Sequence, residues 1–307
     1  MDYKCLATIN CKQGAIRKVR FNVDGVYCVT SGSDKTVKLW NPHRKLFLKS
    51  YCGHGNEVLD ACASSDSSQI LSGGVDKTVI LWDVSSGKPL RRLRVHSGNV
   101  TCVKFNEESN LAFSGSLDNT VMIWDIRAFN FQPIQVLKEA KDSISAIIVT
   151  DHEIVTGSLD SKIRCYDIRS GVLSVDYIGE PIVSLNLTRD GQCFIASTAN
   201  GIIWLFDKTS GELLNEYSGH TTGDFCIESS VDRKDRNILS GSTDGCVYCW
   251  DLIGSKVSHK LVHSSGEVVH SLHPHPTGDY LMTATKNEIH LWGIEEMDLQ
   301  DEPEVEA

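Results

Sequence analysis

Three sets of residues in this chain hold the side-chain types of a hydrolytic triad: His54, Ser72 and Asp76; His96, Ser114 and Asp118; His220, Ser240 and Asp244. A hydroxyl, an imidazole and a carboxylate could run nucleophilic acyl transfer if the hydroxyl were accessible and an oxyanion hole lay beside it. The sets recur at a repeat interval, however, and each runs on to a tryptophan: Trp82, Trp124 and Trp250. Recurrence of this kind points to a structural role, so no catalytic residue is expected. Cys246 and Cys249 form a CxxC, but three positions apart on a strand they face opposite sides and cannot share a metal. His270, His273 and His275 read as a strand running into its turn rather than as a metal site, so no metal is expected. No GxxxxGK[ST] or GxGxxG element is present, which argues against a nucleotide enzyme, a cofactor or a small-molecule substrate.

The elements that must position these residues are repeats. Aromatic-led pairs recur at Trp40-Asn41, Trp82-Asp83, Trp124-Asp125, Tyr166-Asp167, Phe206-Asp207, Trp250-Asp251 and Trp292-Gly293, in steps of 42, 42, 42, 40, 44 and 42. Turns such as Ser72-Gly73-Gly74-Val75-Asp76 and Ser114-Gly115-Ser116-Leu117-Asp118 stand upstream of the aromatics, and Gly-His pairs occur at Gly53-His54 and Gly219-His220. Each unit reads as four short strands, rich in β-branched and aromatic residues and punctuated by Gly, Asn, Asp and Ser. The pattern resembles the WD-repeat family from Tyr3 to Trp292. It implies an all-β fold over residues 1–293, a single seven-bladed WD-repeat β-propeller. Nothing strand-like follows Trp292, while Lys4–Ile9 is a strand without a partner. That N-terminal strand is expected to complete the last blade and close the ring.

In this family the His, Ser, Asp and Trp positions form buried hydrogen-bonded tetrads, and the resemblance implies that role for the three sets above. The fifth and seventh repeats, with Ala196 and Asn200 or Lys286 in those places, are expected to lack a tetrad and to be softer. Narrower stretches resemble the mitogen-activated protein kinase organizer group: Arg20–Gly25, Lys38–Pro42, Gly53-His54-Gly55, Glu57–Ala61, Asp151–Ile154 and Thr209–Leu214. That resemblance implies a non-catalytic scaffold for a Raf–MEK–ERK module. It further implies association with spliceosomal proteins and with a hypoxia-factor prolyl hydroxylase.

With chemistry set aside, surface remains. By register, Arg17, Leu59, Val75, Leu117, Leu159, Phe225 and His270 ring one mouth of the central channel, and an apolar rim carrying an aromatic suits a protein partner. Trp124-Asp125-Ile126-Arg127 matches the Trp-Asp-x-Arg that propeller receptors present to a cullin-type ubiquitin ligase, and Tyr166-Asp167-Ile168-Arg169 nearly does. Arg127 and Arg169 would then dock the ubiquitin adaptor. The net charge is −10, yet seven acids and no base stand between Ile294 and Ala307, so the rest is near neutral. Such a balance argues against direct nucleic-acid binding. The acidic segment 294–307 is expected to stay unfolded. No run of eighteen apolar residues exists, so no membrane insertion is expected. Eleven scattered cysteines and no export signal lead to an expectation of reduced thiols in cytoplasm and nucleus, where the Asn186-Leu187-Thr188 sequon is idle.

Overall fold

The structure, a computed structural model, describes residues 3–128, 130–223 and 225–293. The acidic segment 294–307 lies outside the described residues. Among the described residues twenty-eight strands form seven four-stranded antiparallel sheets. Within each blade the strands are named a to d from the channel outward. Six blades follow chain order; blade one, for example, is Ile16–Phe21, Cys28–Gly32, Thr36–Asn41 and Leu46–Cys52. Blade seven takes Ser271–Pro274, Tyr280–Ala284 and Glu288–Gly293 from the end of the chain, and its strand d is the N-terminal Lys4–Asn10. Pairing there runs from Lys4 opposite Gly293 to Asn10 opposite Glu288, so the ring is closed as a seven-bladed propeller.

The burial pattern explains why blades cannot stand alone. Each b strand is covered on both faces, as in Gln69–Gly74 and Leu111–Ser116, where five of six residues are buried. Among the described residues seven apolar clusters result, each straddling two neighbouring blades. One joins Leu71, Val79 and Leu81 of blade two to Val100, Val103 and Trp124 of blade three. Close approach of the blades needs glycine at one place: a Cβ on Gly73 would lie 2.4 Å from Val100 Cγ1, and one on Gly115 would lie 2.6 Å from Ile144 Cγ2.

Two local devices recur. The b–c turn is an Asx turn, with the Asp carboxylate accepting from the amide two residues on, as Thr78 N to Asp76 Oδ1 at 3.2 Å and Thr120 N to Asp118 Oδ1 at 3.1 Å. In blades one to five strand a carries a bulge at its second residue, between Ile16 and Lys18, Val58 and Asp60, and Val100 and Cys102, for example. The bulge bends the strand at the channel mouth and turns its next residues into the channel.

Candidate functional site: the tetrads, the channel and its rim

Two of the three triad-like sets come together. In blade two, Trp82 Nε1 donates to Ser72 Oγ at 2.8 Å, Ser72 meets His54 Nε2 at 2.8 Å, and His54 Nδ1 meets Asp76 Oδ1 at 3.0 Å. Blade three repeats this through Trp124, Ser114, His96 and Asp118 at 2.9, 2.8 and 2.9 Å. Polarity along the chain is set at both ends, because the indole only donates and the carboxylate only accepts. Each serine hydroxyl therefore spends its proton on histidine and its oxygen on tryptophan. Both serines are 0% exposed. Neither can reach a substrate.

Thr78 and Thr120 aim the carboxylates, donating to Asp76 Oδ1 at 2.7 Å and Asp118 Oδ1 at 2.6 Å. Burial pushes the Asp118 carboxyl up, but hydrogen bonds from Thr120 and His96 outweigh it and hold the group at about 2. Asp118→Ala is expected to destabilise the fold by about 1–3 kcal/mol, since it strands a buried imidazole. A denaturation midpoint measures the loss, and a fluorophosphonate probe is expected to label none of Ser72, Ser114 and Ser240.

The third set does not assemble, which corrects the expectation for blade six. Trp250 Nε1 donates instead to the Ser218 carbonyl at 3.0 Å, and Ser240 Oγ turns to the Gly241 carbonyl at 3.1 Å. Asp244 Oδ2 is taken by the Tyr248 hydroxyl at 2.7 Å. His220 Nδ1 is buried without a partner among the described residues, and burial, against Asp244, pushes its pKa down to about 4. The cause lies in two substitutions within the repeat. Cys246 replaces the threonine that aims the Asp, and Tyr248 stands where Ile80 and Met122 stand, bringing a competing hydroxyl. Asp244→Ala is accordingly expected to cost less than Asp118→Ala.

Other blades solve the same problem with other residues. In blade seven, Trp292 Nε1 donates to Thr283 Oγ1 at 2.9 Å and Thr283 meets His263 Nε2 at 3.2 Å, a tetrad short only of its Asp. The expectation that the seventh repeat lacks the arrangement is corrected to that extent. Blade one uses Trp40, Thr30 and Gln13, with the Thr30 hydroxyl donating to Gln13 Oε1. Blade four places Arg164 on Ser158 Oγ at 2.8 Å and on Asp160 Oδ2 at 2.5 Å. In blade five, Trp204 Nε1 is buried without a partner among the described residues.

Past the bulge, the a strands present two tiers to the channel. The upper includes Lys18, Asp60, Ser184 and Ser271, and the lower, two residues on, includes Arg20, Lys104, Asn186 and His273. Glu228 joins the upper tier from blade six, since Ser229 beside it pairs Ser240 just as Ala61 pairs Ser72. Sequence reasoning missed this carboxylate. Glu228 Oε2 accepts from Arg20 Nη1 at 2.9 Å and from the Ser271 hydroxyl at 2.5 Å, while Oε1 accepts from Arg20 Nη2 at 2.5 Å and from Lys18. Burial raises its pKa, but Arg20 and Lys18 overcome this and hold it far below the carboxylate range. One side chain of blade six thus reaches past blade seven to blade one. Asp60 continues the network, 3.8 Å from Arg20 Nη2 and accepting from Val103 N at 3.1 Å.

The rim residues lie at the mouth above these tiers. Leu117 and Phe225 are 44% and 47% exposed, whereas Leu59, Val75 and Leu159 are only partly exposed. Arg17 pairs with Glu57 at 2.7 Å. Phe225 departs from its expected place. Blade six's strand a begins at Ser229, so Phe225 lies four residues ahead of it, in the connecting loop, with its ring 5.4 Å from that of His270. The long 44-residue step into this blade supplies the slack. Arg127 and Arg169 follow the c strands at the opposite mouth, each with its amide on the preceding Asp Oδ1 at 2.8 Å. The side chain of Arg127 is 72% exposed. His270, His273 and His275 do separate work: His273 Nδ1 accepts from Phe21 N at 3.4 Å and His275 Nδ1 from Gly278 N at 2.7 Å. Among the described residues no group of His, Cys, Asp and Glu could hold a metal, and no helix is long and apolar enough to cross a membrane.

The sequence has counterparts among known proteins. The WD domain, G-beta repeat family matches residues 3–41, 45–83, 87–125, 211–251 and 255–293. The chain is 56% identical to WD repeat domain-containing protein 83 of Rattus norvegicus, over 94% of this chain and 91% of that protein. The human protein of the same name is 53% identical over 98% and 95%. A Dictyostelium discoideum homolog of that protein is 33% identical over 94% and 97%. The matched segments include blades two and three with their complete tetrads, blade six with its altered one, and the closing strand. The chain belongs to the WD domain, G-beta repeat family.

Proposed function

We propose that this protein is a non-catalytic scaffold that holds client proteins at the rimmed mouth of its channel. The observation that carries this reading is the pairing of exposed Leu117 and Phe225 there with serines fully buried in the tetrads. An exposed aromatic at a channel mouth suits a partner anchor. The stretches Lys38–Pro42 and Thr209–Leu214, which resemble the kinase-organizer group, support components of a Raf–MEK–ERK module as clients. Spliceosomal proteins and a prolyl hydroxylase are further clients on the same ground, in cytoplasm and nucleus. No direct nucleic-acid contact is part of this reading.

Affinity purification of the tagged protein followed by mass spectrometry tests it. Phe225→Ala is expected to cost a bound client about 2 kcal/mol, roughly thirtyfold in affinity. Arg127→Ala is expected to leave that client bound, with melting temperatures measured alongside. Wild-type binding of every client by Phe225→Ala would remove the rim from the proposal. A second reading, a substrate receptor of a cullin-type ubiquitin ligase, is favoured by the exposure of Arg127 and by its shared backbone geometry with Arg169. In that case the ubiquitin adaptor co-purifies with wild type and is lost in Arg127→Ala.

A further inference from the structure

The channel holds a cavity of about 330 Å³ whose charge runs against that of the chain. Lys18, Arg20, Lys104 and Arg189 line it, opposed by only two carboxylates, Asp60 and Glu228. Those carboxylates are already engaged. Glu228 is saturated by Lys18, Arg20 and Ser271, and Asp60 accepts from Val103 N and faces Arg20. Among the described residues, neither Lys104 nor Arg189 has a carboxylate within ion-pair distance. Lys104, half-buried, and Arg189, exposed at the turn that follows strand a of blade five, therefore line this open cavity without a carboxylate to neutralise them among the described residues. A third donor joins them. Because His273 Nδ1 accepts from the Phe21 amide, the ring proton of the neutral imidazole sits on Nε2. Burial, with Arg20, Lys104 and Arg189 nearby, holds His273 well below its ordinary range, so the ring offers a hydrogen bond and no charge. Arg20 and Lys104 also line the wider opening of about 540 Å³ below, on the Arg127 side of the ring, which gives a ligand a way in.

We propose that this channel binds a small molecule carrying two or more phosphate charges. Lys104 supplies a mobile point charge and Arg189 a planar fork, the two donors that phosphate oxygens take best. His273, which also lines the cavity, adds a neutral N–H donor. A cationic ligand meets net positive charge here. An extended nucleic-acid strand finds too few cations along the outer surface of a chain of net charge −10.

Isothermal titration of the full chain with inorganic tripolyphosphate at low ionic strength is the test, with ATP and inositol hexakisphosphate as separate arms to identify the source of the phosphates. One-to-one binding of tripolyphosphate in the micromolar range is expected. Lys104→Gln is expected to weaken it about tenfold or more, the loss of one charge-assisted contact. Lys88→Gln, an exposed lysine on the outer side of blade two, controls for bulk charge and is expected to change it less than about twofold. Arg189→Gln is the second variant should Lys104→Gln melt early, because Arg189 is exposed at a turn and its replacement leaves the fold intact. Absence of binding by all three phosphates overturns the proposal. So does equal weakening by Lys88→Gln, or wild-type affinity in both channel variants. Client binding at the opposite mouth is read separately through Phe225→Ala, so the two proposals fail independently.

Discussion

Glu228→Ala is expected to lower stability by about 3 kcal/mol, the lower end of the cost of stripping one partner from a buried ionic cluster. The low end applies because Lys18 keeps 23% of its side-chain exposure, whereas Arg20 keeps only 11%. What remains after the substitution is two cations, Lys18 and Arg20, two residues apart on strand a of blade one and stripped of their shared carboxylate. For a chain of this size the loss corresponds to roughly 4–6 °C in melting temperature. The same carboxylate gives the protein an acid limit. Its folded pKa lies below its unfolded value, so its contribution is complete above about pH 5 and is lost as pH falls through the carboxylate range. Wild type is therefore expected to lose melting temperature between about pH 5 and pH 2 more steeply than Glu228→Ala does. Parallel acid profiles would show that the cluster contributes nothing to the fold. Replacing Lys18, Arg20, Asp60 and Glu228 together by Met is expected to recover part of the loss, because no unpaired charge of the network then remains.

Removal of residues 1–11 is expected to have the largest effect. It takes away all of strand d of blade seven and, with it, Ala7, Ile9 and Cys11, which are 4%, 7% and 1% exposed. Those side chains and the lost ladder together contribute about 5 kcal/mol or more. The chain closure between the first and last blades goes too. A melting temperature within about 5 °C of wild type would show that blade seven holds without its latch. The complementary experiment moves the strand rather than deleting it. Lys4 pairs with Gly293, so residues 3–11 appended after Gly293 through a short turn can re-form the sheet as an ordinary c–d hairpin. That rearranged chain is expected to regain blade seven while the covalent link between its sheet and blade one is gone. Comparing the two variants separates the strand's packing from the ring's closure.

The ring was readable because a 42-residue step leaves little freedom: seven aromatic positions, four strand runs between them and one orphan strand admit a closed propeller. The tetrads were half readable. Ser72 and Ser114 keep their histidines because Thr78 and Thr120 aim the Asp residues, whereas the same spacing around Ser240 does not suffice, since Cys246 stands in the threonine's place and the Tyr248 hydroxyl takes Asp244. Trp292 with Thr283 and His263, and Trp40 with Thr30 and Gln13, escaped notice for a chemical reason. A buried indole needs only an acceptor hydroxyl that is itself satisfied, and threonine with histidine or glutamine meets that need as well as the commoner set. Glu228 was hidden more deeply. Its neighbours in space are Lys18 and Arg20, 210 and 208 residues away, and its register depends on a strand only three residues long. No local pattern announces such a residue. Phe225 was misplaced by the same irregular stretch, since counting back from its blade's neighbours assumes a strand that starts on schedule.

The pairing of Lys4–Asn10 with Glu288–Gly293 also sets an order of events during synthesis. A ribosome adding roughly 5–20 residues per second needs about 15–60 s to make the stretch between those strands. Throughout that interval the earliest strand to emerge has no partner, and its apolar residues, Leu6, Ala7 and Ile9 among them, stand beside a growing row of finished blades. Those blades end in outer strands such as Leu173–Tyr177 with open hydrogen-bonding edges, ready to accept it in the wrong place. Whatever shelters the nascent chain must therefore hold this one strand apart until the final hairpin is out.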